Sequence, residues 1–399
     1  MNSQEEIKNF NNSADLAKIL KATDENIKKC AEGIRNGQII GMPTETVYGL
    51  AASAFDLEAV KKIFVYKGRP LSDPLIVHVT SVEMANKIIN IEENTRSLFS
   101  LLAEKFWPGP LTIVLRADFE IISPILTANT NFIGIRFPKN EIAKKLIEYS
   151  GVPIAAPSAN KFCHVSPVNP VHVYEDFKEF PVTILDGGVC NFCMESTVIK
   201  IISENKVIQI LRMGAISPDE LRSFLKEIHQ DYTVEIFKKN IDIKNTDSKK
   251  DNTNTKPNTN DNLENQIKLD QEAPGQFIKH YSPQLDTYIL DEDEENNILN
   301  LNQITQKEVV FLDYMHVLDK NLREKFSFPI ENFLQLSKVN NPIEVMSNIY
   351  DFLRVAEKFP CAKIIILCDL NKHMQDNEHK LTLVDRILKA SAFKKINIK

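Results

Sequence analysis

Long apolar runs are missing from this sequence. The longest unbroken one, residues 364–368, is only a few residues long, whereas a membrane-spanning helix needs about 20. The start of the chain, MNSQEEIKNFNNSADL, is polar and lacks the apolar stretch of a secretory signal. We therefore expect neither a membrane segment nor a secretory signal.

Cysteine is scarce, and an excess of positive charge is absent. The chain has 6 cysteines among 399 residues, four of them widely scattered, which argues against the disulfide framework of a secreted protein. Its 48 basic and 54 acidic residues give a net charge of −6, so contact with tRNA or DNA would need a local basic patch. With 43% apolar and 26% charged residues, we expect a reduced, cytoplasmic enzyme of two or three domains.

Three motifs of nucleotide and nucleophile sites are also absent. The sequence contains no G-x-x-x-x-G-K-[ST] phosphate loop and no G-x-S-x-G elbow. Its C-terminal part has no G-x-G-x-x-G. We therefore predict neither a phosphate loop nor an esterase nor a dinucleotide site.

Residues 244–262 read KNTDSKKDNTNTKPNTNDN and contain no apolar residue except Pro257. Such a segment cannot bury enough surface to offset the entropy lost on ordering, so we predict a flexible linker. It divides the chain into a large N-terminal part and a smaller C-terminal part.

Short apolar runs alternate with amphipathic helical patterns in the N-terminal part. The predicted strands are residues 38–42, 74–79, 111–115, 132–137, 152–156, 182–186, 196–201 and 207–211. Asp56 and Asn140 are predicted helix caps. The strands outnumber those of a pure βα alternation, which indicates a mixed-sheet α/β domain. Beyond the linker, three apolar runs and helices near 342–357 and 381–392 predict a small Rossmann-like α/β unit.

Polar residues follow several of these strands, where α/β sheets bind ligands. Four cations could clamp phosphates or a carboxylate: Lys67, Arg69, Arg136 and Arg212. Hydroxyls and amides that could orient a polar ligand come from Thr44, Ser158, Asn160, Ser166 and Ser196. The residues thus favour a pocket for a nucleotide plus a small acid. Simpler interpretations remain open: a solvated turn for KGRP, a core histidine for His78, and turn or cap residues for the hydroxyls.

Cys190 and Cys193 stand in C-x-x-C spacing. A structural zinc site needs four ligands, and Cys163 with His164 is the one candidate for a second pair. A thioredoxin-like redox motif would open a helix, whereas here a strand follows. The residues therefore favour neither a zinc site nor a redox pair here.

Taken in order, PTETVYGLAA, KGRPLSDPLIVHV, FWPGPLTIVL, IGIRFP, PIAAPSAN, LDGG, ESTV and ILRMGAI resemble the L-threonylcarbamoyladenylate synthase family. APGQFIKHYSP (273–283) resembles the connector of its long two-domain form, and LVDRILKASA (383–392) the closing helix. The resemblance implies a YrdC-type twisted mixed-sheet α/β domain over 14–238. A flexible polar linker over 239–283, ending in the connector, and a small Rossmann-like α/β domain over 284–399 would follow.

The resemblance also implies a reaction: L-threonine, bicarbonate and ATP, with Mg²⁺, give threonylcarbamoyl-AMP and pyrophosphate. This is the first step of threonylcarbamoyladenosine modification of tRNA beside the anticodon, so a downstream tRNA threonylcarbamoyl transferase is an expected partner. Direct tRNA binding is left open. Threonine would be held by Thr44, His78, Arg136 and Ser196. ATP would be held by Lys67, Arg69, Asp73, Ser158, Asn160, Ser166, Arg212 and Tyr281. No protein ligand for a metal and no covalent catalytic residue is implied.

Positioning by Lys67, Arg69 and Arg136 would then carry the chemistry, and we expect the connector to act as a lid. The sequence departs from the family in three places. Residues 161–164, KFCH, stand where a small Ser-Gly pair is usual, Phe132 replaces a common threonine, and Cys193 replaces a glycine. The first two changes concern nucleotide contacts.

Two other functions compete with this one. A YrdC-type RNA-binding module without adenylation activity would need a basic concave face, which the net charge of −6 does not support. Carbamoyl transfer in hydrogenase maturation also uses a YrdC-type domain, but those proteins carry paired zinc-finger motifs and this chain has a single C-x-x-C.

Overall fold

The computed structural model describes residues 16–237, 273–275, 277, 279–295, 297–299 and 305–398. Most of the predicted linker, residues 239–272, lies outside these ranges, including the whole of 244–262. The described strands form two sheets, one before and one after that segment. The strands of the first sheet are β1 (Lys18–Lys21), β2 (Ile39–Met42), β3 (Gly49–Ser53), β4 (Ile76–His78), β5 (Leu111–Arg116), β6 (Phe132–Arg136), β7 (Ile154–Ala155), β8 (Val182–Asp186), β9 (Thr197–Ile202), β10 (Val207–Arg212) and β11 (Thr233–Ile236).

The first sheet runs in the order β1-β8-β2-β3-β7-β4-β6-β5-β9-β10-β11. Parallel pairs such as β4 with β6 and β5 with β9 alternate with antiparallel pairs such as β5 with β6 and β9 with β10. The mixed-sheet prediction is therefore confirmed.

Helices of this first part pack on the sheet through their apolar faces. They are α1 (Asp24–Arg35), α2 (Leu57–Lys67), α3 (Val82–Asn86), α4 (Glu93–Phe106), α5 (Glu141–Ser150), α6 (Pro170–Phe177) and α7 (Pro218–Glu227). The Asp56 side chain caps α2 by accepting the Ala59 N–H, and Asn140 caps α5 in the same way. Both predicted caps are confirmed. None of the helices in the described part of the chain is long and apolar enough to cross a membrane.

The second sheet is parallel in every pair that the structure describes. Its order is β13-β17-β12-β16-β14-β15. Its strands are β12 (Asp286–Leu290), β13 (Ile298–Leu299), β14 (Val309–Tyr314), β15 (Phe333–Ser337), β16 (Ile364–Leu367) and β17 (Lys395–Ile398). Its helices are α8 (Val317–Phe326), α9 (Pro342–Glu357), α10 (Leu370–His373) and α11 (Lys380–Ala390). Helices between parallel strands confirm the Rossmann-like prediction.

A buried ion-pair network joins the two parts. Arg354 of α9 contacts Asp176 of α6 at 2.8 Å and donates a hydrogen bond to the Val165 carbonyl oxygen. His164 lies beside it, with Nε2 2.9 Å from Glu357 and Nδ1 3.4 Å from Asp176. Burial opposes protonation of His164, but the two carboxylates outweigh it, so its pKa lies above the ordinary 6.5.

This network predicts a pH dependence of stability. A histidine whose pKa is raised by folding stabilises the native state fully below 6.5, and that contribution is lost as the pH rises through the raised pKa. We expect the melting temperature to fall between pH 6 and pH 9. The fall should be smaller in His164→Gln, which carries no titrating ring. Calorimetry of both proteins across this range checks it, and parallel curves would contradict it.

Candidate active site

One pocket gathers the predicted site residues where β4, β6, β7 and β10 end and β3 and β9 begin. Eight of them line it directly: Thr44, Arg69, His78, Arg136, Ser158, Ser196, Arg212 and Tyr281. The other four, Lys67, Asp73, Asn160 and Ser166, lie behind this layer and contact its members or their neighbours.

Arg136 ends β6 inside the sheet and is almost fully buried. Its Nη2 donates to Glu45 Oε1 at 2.6 Å, and its Nε donates to the Gly109 carbonyl oxygen at 3.3 Å. No described residue accepts a hydrogen bond from Nη1. A planar guanidinium can bind a second carboxylate through such N–H groups. Glu45 was not predicted, although a buried arginine requires a buried acid nearby.

Arg69 and Lys67 form the second group of cations. Arg69 contacts Asp73 at 2.9 Å and donates to the Pro74 carbonyl oxygen, while Lys67 donates to the carbonyl oxygens of Ser158 and Asn160. Burial raises the pKa of Asp73 to about 6 despite Arg69. Burial and the charge of Arg69 lower the pKa of Lys67. An added anion would therefore be favourable here.

Arg212 ends β10 and reaches across to β9. Its Nη2 donates to Ser196 O at 2.9 Å and to Ser196 Oγ at 3.0 Å. The Ser196 hydroxyl also shares a hydrogen bond of 2.8 Å with Thr112. No described carboxylate lies within ion-pair distance of Arg212, and the Ser196 oxygens to which it donates are neutral.

The remaining small polar groups divide between structure and recognition. The Thr44 hydroxyl donates to the Val47 carbonyl oxygen at 2.6 Å and so shapes its own turn, as the cap interpretation expects. Burial, helped by Arg136, lowers the pKa of His78 to about 3. Its Nδ1 has no hydrogen-bond partner among the described residues, nor has Glu45 Oε2. Buried unpartnered atoms at a pocket wall are groups that a ligand can satisfy.

Glu195 lines this pocket and contacts the second domain. It was not among the site residues predicted from the sequence. Its Oε1 accepts from the Ser166 hydroxyl at 2.6 Å, and its Oε2 accepts from the Tyr350 hydroxyl at 2.7 Å. Arg386 of α11 contacts the same Oε2 at 3.1 Å. Tyr350 and Arg386 each lie within an apolar helical pattern, so a polar residue on a buried helix face was the signal available.

The described part of the connector lies in the pocket. Pro274, His280 and Tyr281 line it, Tyr281 is 1% exposed, and its ring stacks under the Arg386 guanidinium at 4.5 Å. The space left is about 40 Å³, far below the several hundred Å³ of a ligand site. Gly275, with φ of +86°, lies against Arg212, because an added Cβ would come within 2.9 Å of that side chain.

The three departures from the family have structural roles. In the KFCH segment, Phe162 packs edge-on against Phe277 of the connector at 5.4 Å, and Cys163 O accepts the Ser282 N–H. His164 contacts Glu357 of the second domain. Phe132 lies outside the pocket lining and packs against the cluster that contains Ala273. The bulkier residues therefore hold the connector and the second domain.

The C-x-x-C pair belongs to the core. Both thiols are buried and free, and Cys193 Sγ donates to the Cys190 carbonyl oxygen at 3.1 Å. Burial raises the pKa of Cys193 to about 12 and that of Cys190 further above its ordinary value. Both sulfurs are thus protonated at neutral pH. In the described ranges no three His, Cys, Asp or Glu side chains cluster as metal ligands.

The loop that follows β10 lies so close to the start of β9 that position 214 requires glycine. A Cβ on Gly214 would lie 2.4 Å from the Ser196 carbonyl carbon and from the Thr197 nitrogen, both backbone atoms. We expect Gly214→Ala to destabilise the protein by about 1–3 kcal/mol, the usual cost of overpacking. Urea unfolding checks this. Gly33→Ala is the matched control, since its Cβ meets only the flexible Gln38 side chain; equal stability of both variants would contradict the prediction.

Two family models match consecutive segments of the chain. One, described as telomere recombination, matches residues 32–214. The other, described as threonylcarbamoyl-AMP synthase, C-terminal domain, matches residues 216–392. Together they cover the described strands of both sheets except β1 and β17.

Curated relatives carry the same name. The threonylcarbamoyl-AMP synthase of Pyrococcus abyssi is 36% identical over 266 residues, which is 66% of this chain and 68% of the relative. That of Bacillus subtilis is 37% identical over 54% of this chain and 61% of its own length, and that of Schizosaccharomyces pombe 39% identical over 49% and 53%. The chain thus spans between about half and two thirds of these relatives.

A solved structure extends the likeness to nearly the whole chain. The crystal structure of P. abyssi Sua5 complexed with L-threonine matches with a TM-score of 0.72 and 27% identity, covering 96% of this chain and 99% of that one. The match therefore includes both the part with the mixed sheet and the part with the parallel sheet. On the identity and coverage of these matches, the chain belongs to the threonylcarbamoyl-AMP synthase family.

Proposed function

We propose that this chain joins L-threonine, bicarbonate and ATP into threonylcarbamoyl-AMP and pyrophosphate in the pocket around Arg136 and Arg212. The observation that carries the proposal is that one pocket contains two separate groups of positive charge, each of which can bind an anion. Arg136 keeps N–H groups free beside the uncharged His78, and Arg212 and Lys67 contact no described carboxylate. The names of the relatives support a synthase and not an RNA-binding module without adenylation activity.

The threonine end of the pocket would be formed by Arg136, His78, Thr44 and Ser196. The free N–H groups of Arg136 suit the amino-acid carboxylate, since a bidentate pair with arginine is both strong and directional. His78 is neutral at physiological pH because its pKa is about 3, so it can hydrogen-bond without adding charge. The relative solved with L-threonine supports this substrate.

The nucleotide end would be formed by the cations Lys67, Arg69 and Arg212. Asp73, Ser158, Asn160, Ser166 and Tyr281 complete the proposed ATP site. The pKa of Lys67 is lowered first by burial and then by the charge of Arg69, and a bound triphosphate would offset both effects. Mg²⁺ would enter with ATP as part of the substrate, on the phosphate oxygens that it prefers.

The chemistry follows from positioning. The threonine amine and bicarbonate condense to a carbamate with loss of one water molecule. A carbamate oxygen then attacks the α-phosphorus of ATP while the bond to pyrophosphate breaks. Negative charge grows on the phosphoryl oxygens and on the leaving group, and fixed cations stabilise it without reorganisation. Holding both substrates in one pocket supplies the remaining advantage. No covalent intermediate with the protein is needed.

The product would pass to a tRNA threonylcarbamoyl transferase, because a mixed anhydride of a carbamate and AMP survives only briefly in water. That partner and a cytoplasmic location remain predictions from the sequence, which leaves direct tRNA binding open. The connector would shield the anhydride as a lid. Support comes from Tyr281, which is buried over the pocket and held in a left-handed conformation with φ of +58°.

The activity is tested by pyrophosphate release. We expect release with ATP, Mg²⁺, bicarbonate and L-threonine, and none when threonine or bicarbonate is omitted. Other amino acids serve as controls. In Arg136→Lys the charge remains but the planar fork is lost, so the KM for threonine should rise about tenfold with little change in the KM for ATP. Release that depends on neither threonine nor bicarbonate would contradict the proposal.

The lid is tested at Tyr281. In Tyr281→Ala we expect the yield of threonylcarbamoyl-AMP per pyrophosphate released to fall, because water reaches the anhydride. Tyr281→Phe is the matched control, since the Tyr281 hydroxyl has no hydrogen-bond partner among the described residues. Chromatography measures the yield of threonylcarbamoyl-AMP, and a binding assay measures the affinity for ATP. Unchanged ATP affinity and yield in Tyr281→Ala, or in a chain truncated before Pro274, would show that the connector is not a lid.

A further inference from the structure

One face of helix α11, in the second domain, contacts the rim of the pocket. Thr382, Arg386 and Lys389 follow one another at helical spacing. Thr382 donates to the Gly214 carbonyl oxygen, Arg386 to the Met213 carbonyl oxygen at 2.6 Å, and Lys389 to the Gly275 carbonyl oxygen at 2.9 Å. Arg386 is completely buried. Its charge therefore belongs to the interior of the pocket wall and not to the surface.

Glu195 lies between two arginines from different domains. It contacts Arg386 at 3.1 Å, whereas among the described residues Arg212 donates only to Ser196 oxygens. Burial opposes ionisation of Glu195, but Arg386 first and Arg212 second outweigh it, so the pKa of the carboxyl lies below its ordinary value. The Glu195 carboxylate is therefore ionised. Its ion-pair partner is Arg386, which does not line the pocket.

The other pocket carboxylates are arranged differently. Glu45 pairs with Arg136 and Asp73 with Arg69, both within the first domain. If Glu195 paired with Arg212 in the same way, the charge of Arg212 would be neutralised before any ligand arrived. Without Arg386, Arg212 is the next cation that acts on the Glu195 carboxylate, and a buried charge requires a partner.

We propose that Arg386 is a positioning residue for nucleotide binding: it holds the Glu195 carboxylate and thereby leaves Arg212 free to bind a triphosphate. This inference rests on the proposed function, since the nucleotide is a substrate of that reaction. It gives the second domain a defined part in the reaction, through the electrostatics of the ATP end of the pocket. The same guanidinium lies over the Tyr281 ring, so the connector docks on the same residue.

The test compares the KM values for ATP and threonine in four proteins. Arg386→Gln should raise the KM for ATP by about tenfold, the scale of one charge-assisted contact, and leave the KM for threonine within about twofold. The double variant Glu195→Gln with Arg386→Gln removes the acid that Arg386 holds, so it should recover most of the ATP affinity. Arg354→Gln is the matched control, because it removes another buried interdomain arginine that pairs with Asp176, outside the pocket lining.

Removal of one partner from a buried ion pair is strongly destabilising, so Arg386→Gln could fail to fold. The double variant and Arg386→Lys, which keeps the charge, then carry the test. A KM for ATP close to wild type in both supports the proposal. The proposal is overturned if the double variant binds ATP as poorly as Arg386→Gln, if threonine and ATP are affected equally, or if Arg354→Gln raises the KM for ATP as much. Failure of the wild-type protein to release pyrophosphate with threonine and bicarbonate would instead refute the proposed function.

Discussion

Burial of positive charge is the constraint on which this site depends. Lys67, Arg69, Arg136 and Arg212 are each at most 7% exposed, and an unpaired buried ion would cost several kcal/mol. The fold meets this cost in two ways. Two of the arginines are paired with acids, and the other two cations donate to carbonyl and hydroxyl oxygens. The second solution leaves positive charge available to a ligand.

The mixed sheet makes this arrangement possible. Antiparallel pairs bring the start of one strand beside the end of its neighbour, so Arg136 at the end of β6 meets the loop that precedes β5. A purely parallel sheet would collect only strand ends at this edge. The second, parallel sheet contributes no strand to the pocket. It presents helices α9 and α11, whose polar residues complete the wall at Glu195.

Much of this could be predicted from the sequence, and the exceptions have physical reasons. The caps Asp56 and Asn140 and the apolar strands are local signals, and they were found. Strand β3 was not, because GLAAS lacks the β-branched and aromatic residues that mark strands; its burial between neighbours forms it. Strands β1 and β11 of the first sheet and strands β13, β15 and β17 of the second were not predicted either. The predicted site residues came from motifs, but their partners did not, since pairs such as Arg386 with Glu195 are 191 residues apart.

The position of the connector has a consequence for substrate affinity. Because Pro274 and Tyr281 line a pocket that has only about 40 Å³ of free space, a nucleotide can enter only when this segment of the chain moves aside before it closes over the ligand. The apparent affinity is then the intrinsic affinity multiplied by the fraction of molecules with the segment withdrawn. Every contact that docks the connector, such as Phe162 against Phe277, lowers that fraction. Substitutions far from the reacting atoms therefore set the concentration at which the enzyme is half-saturated.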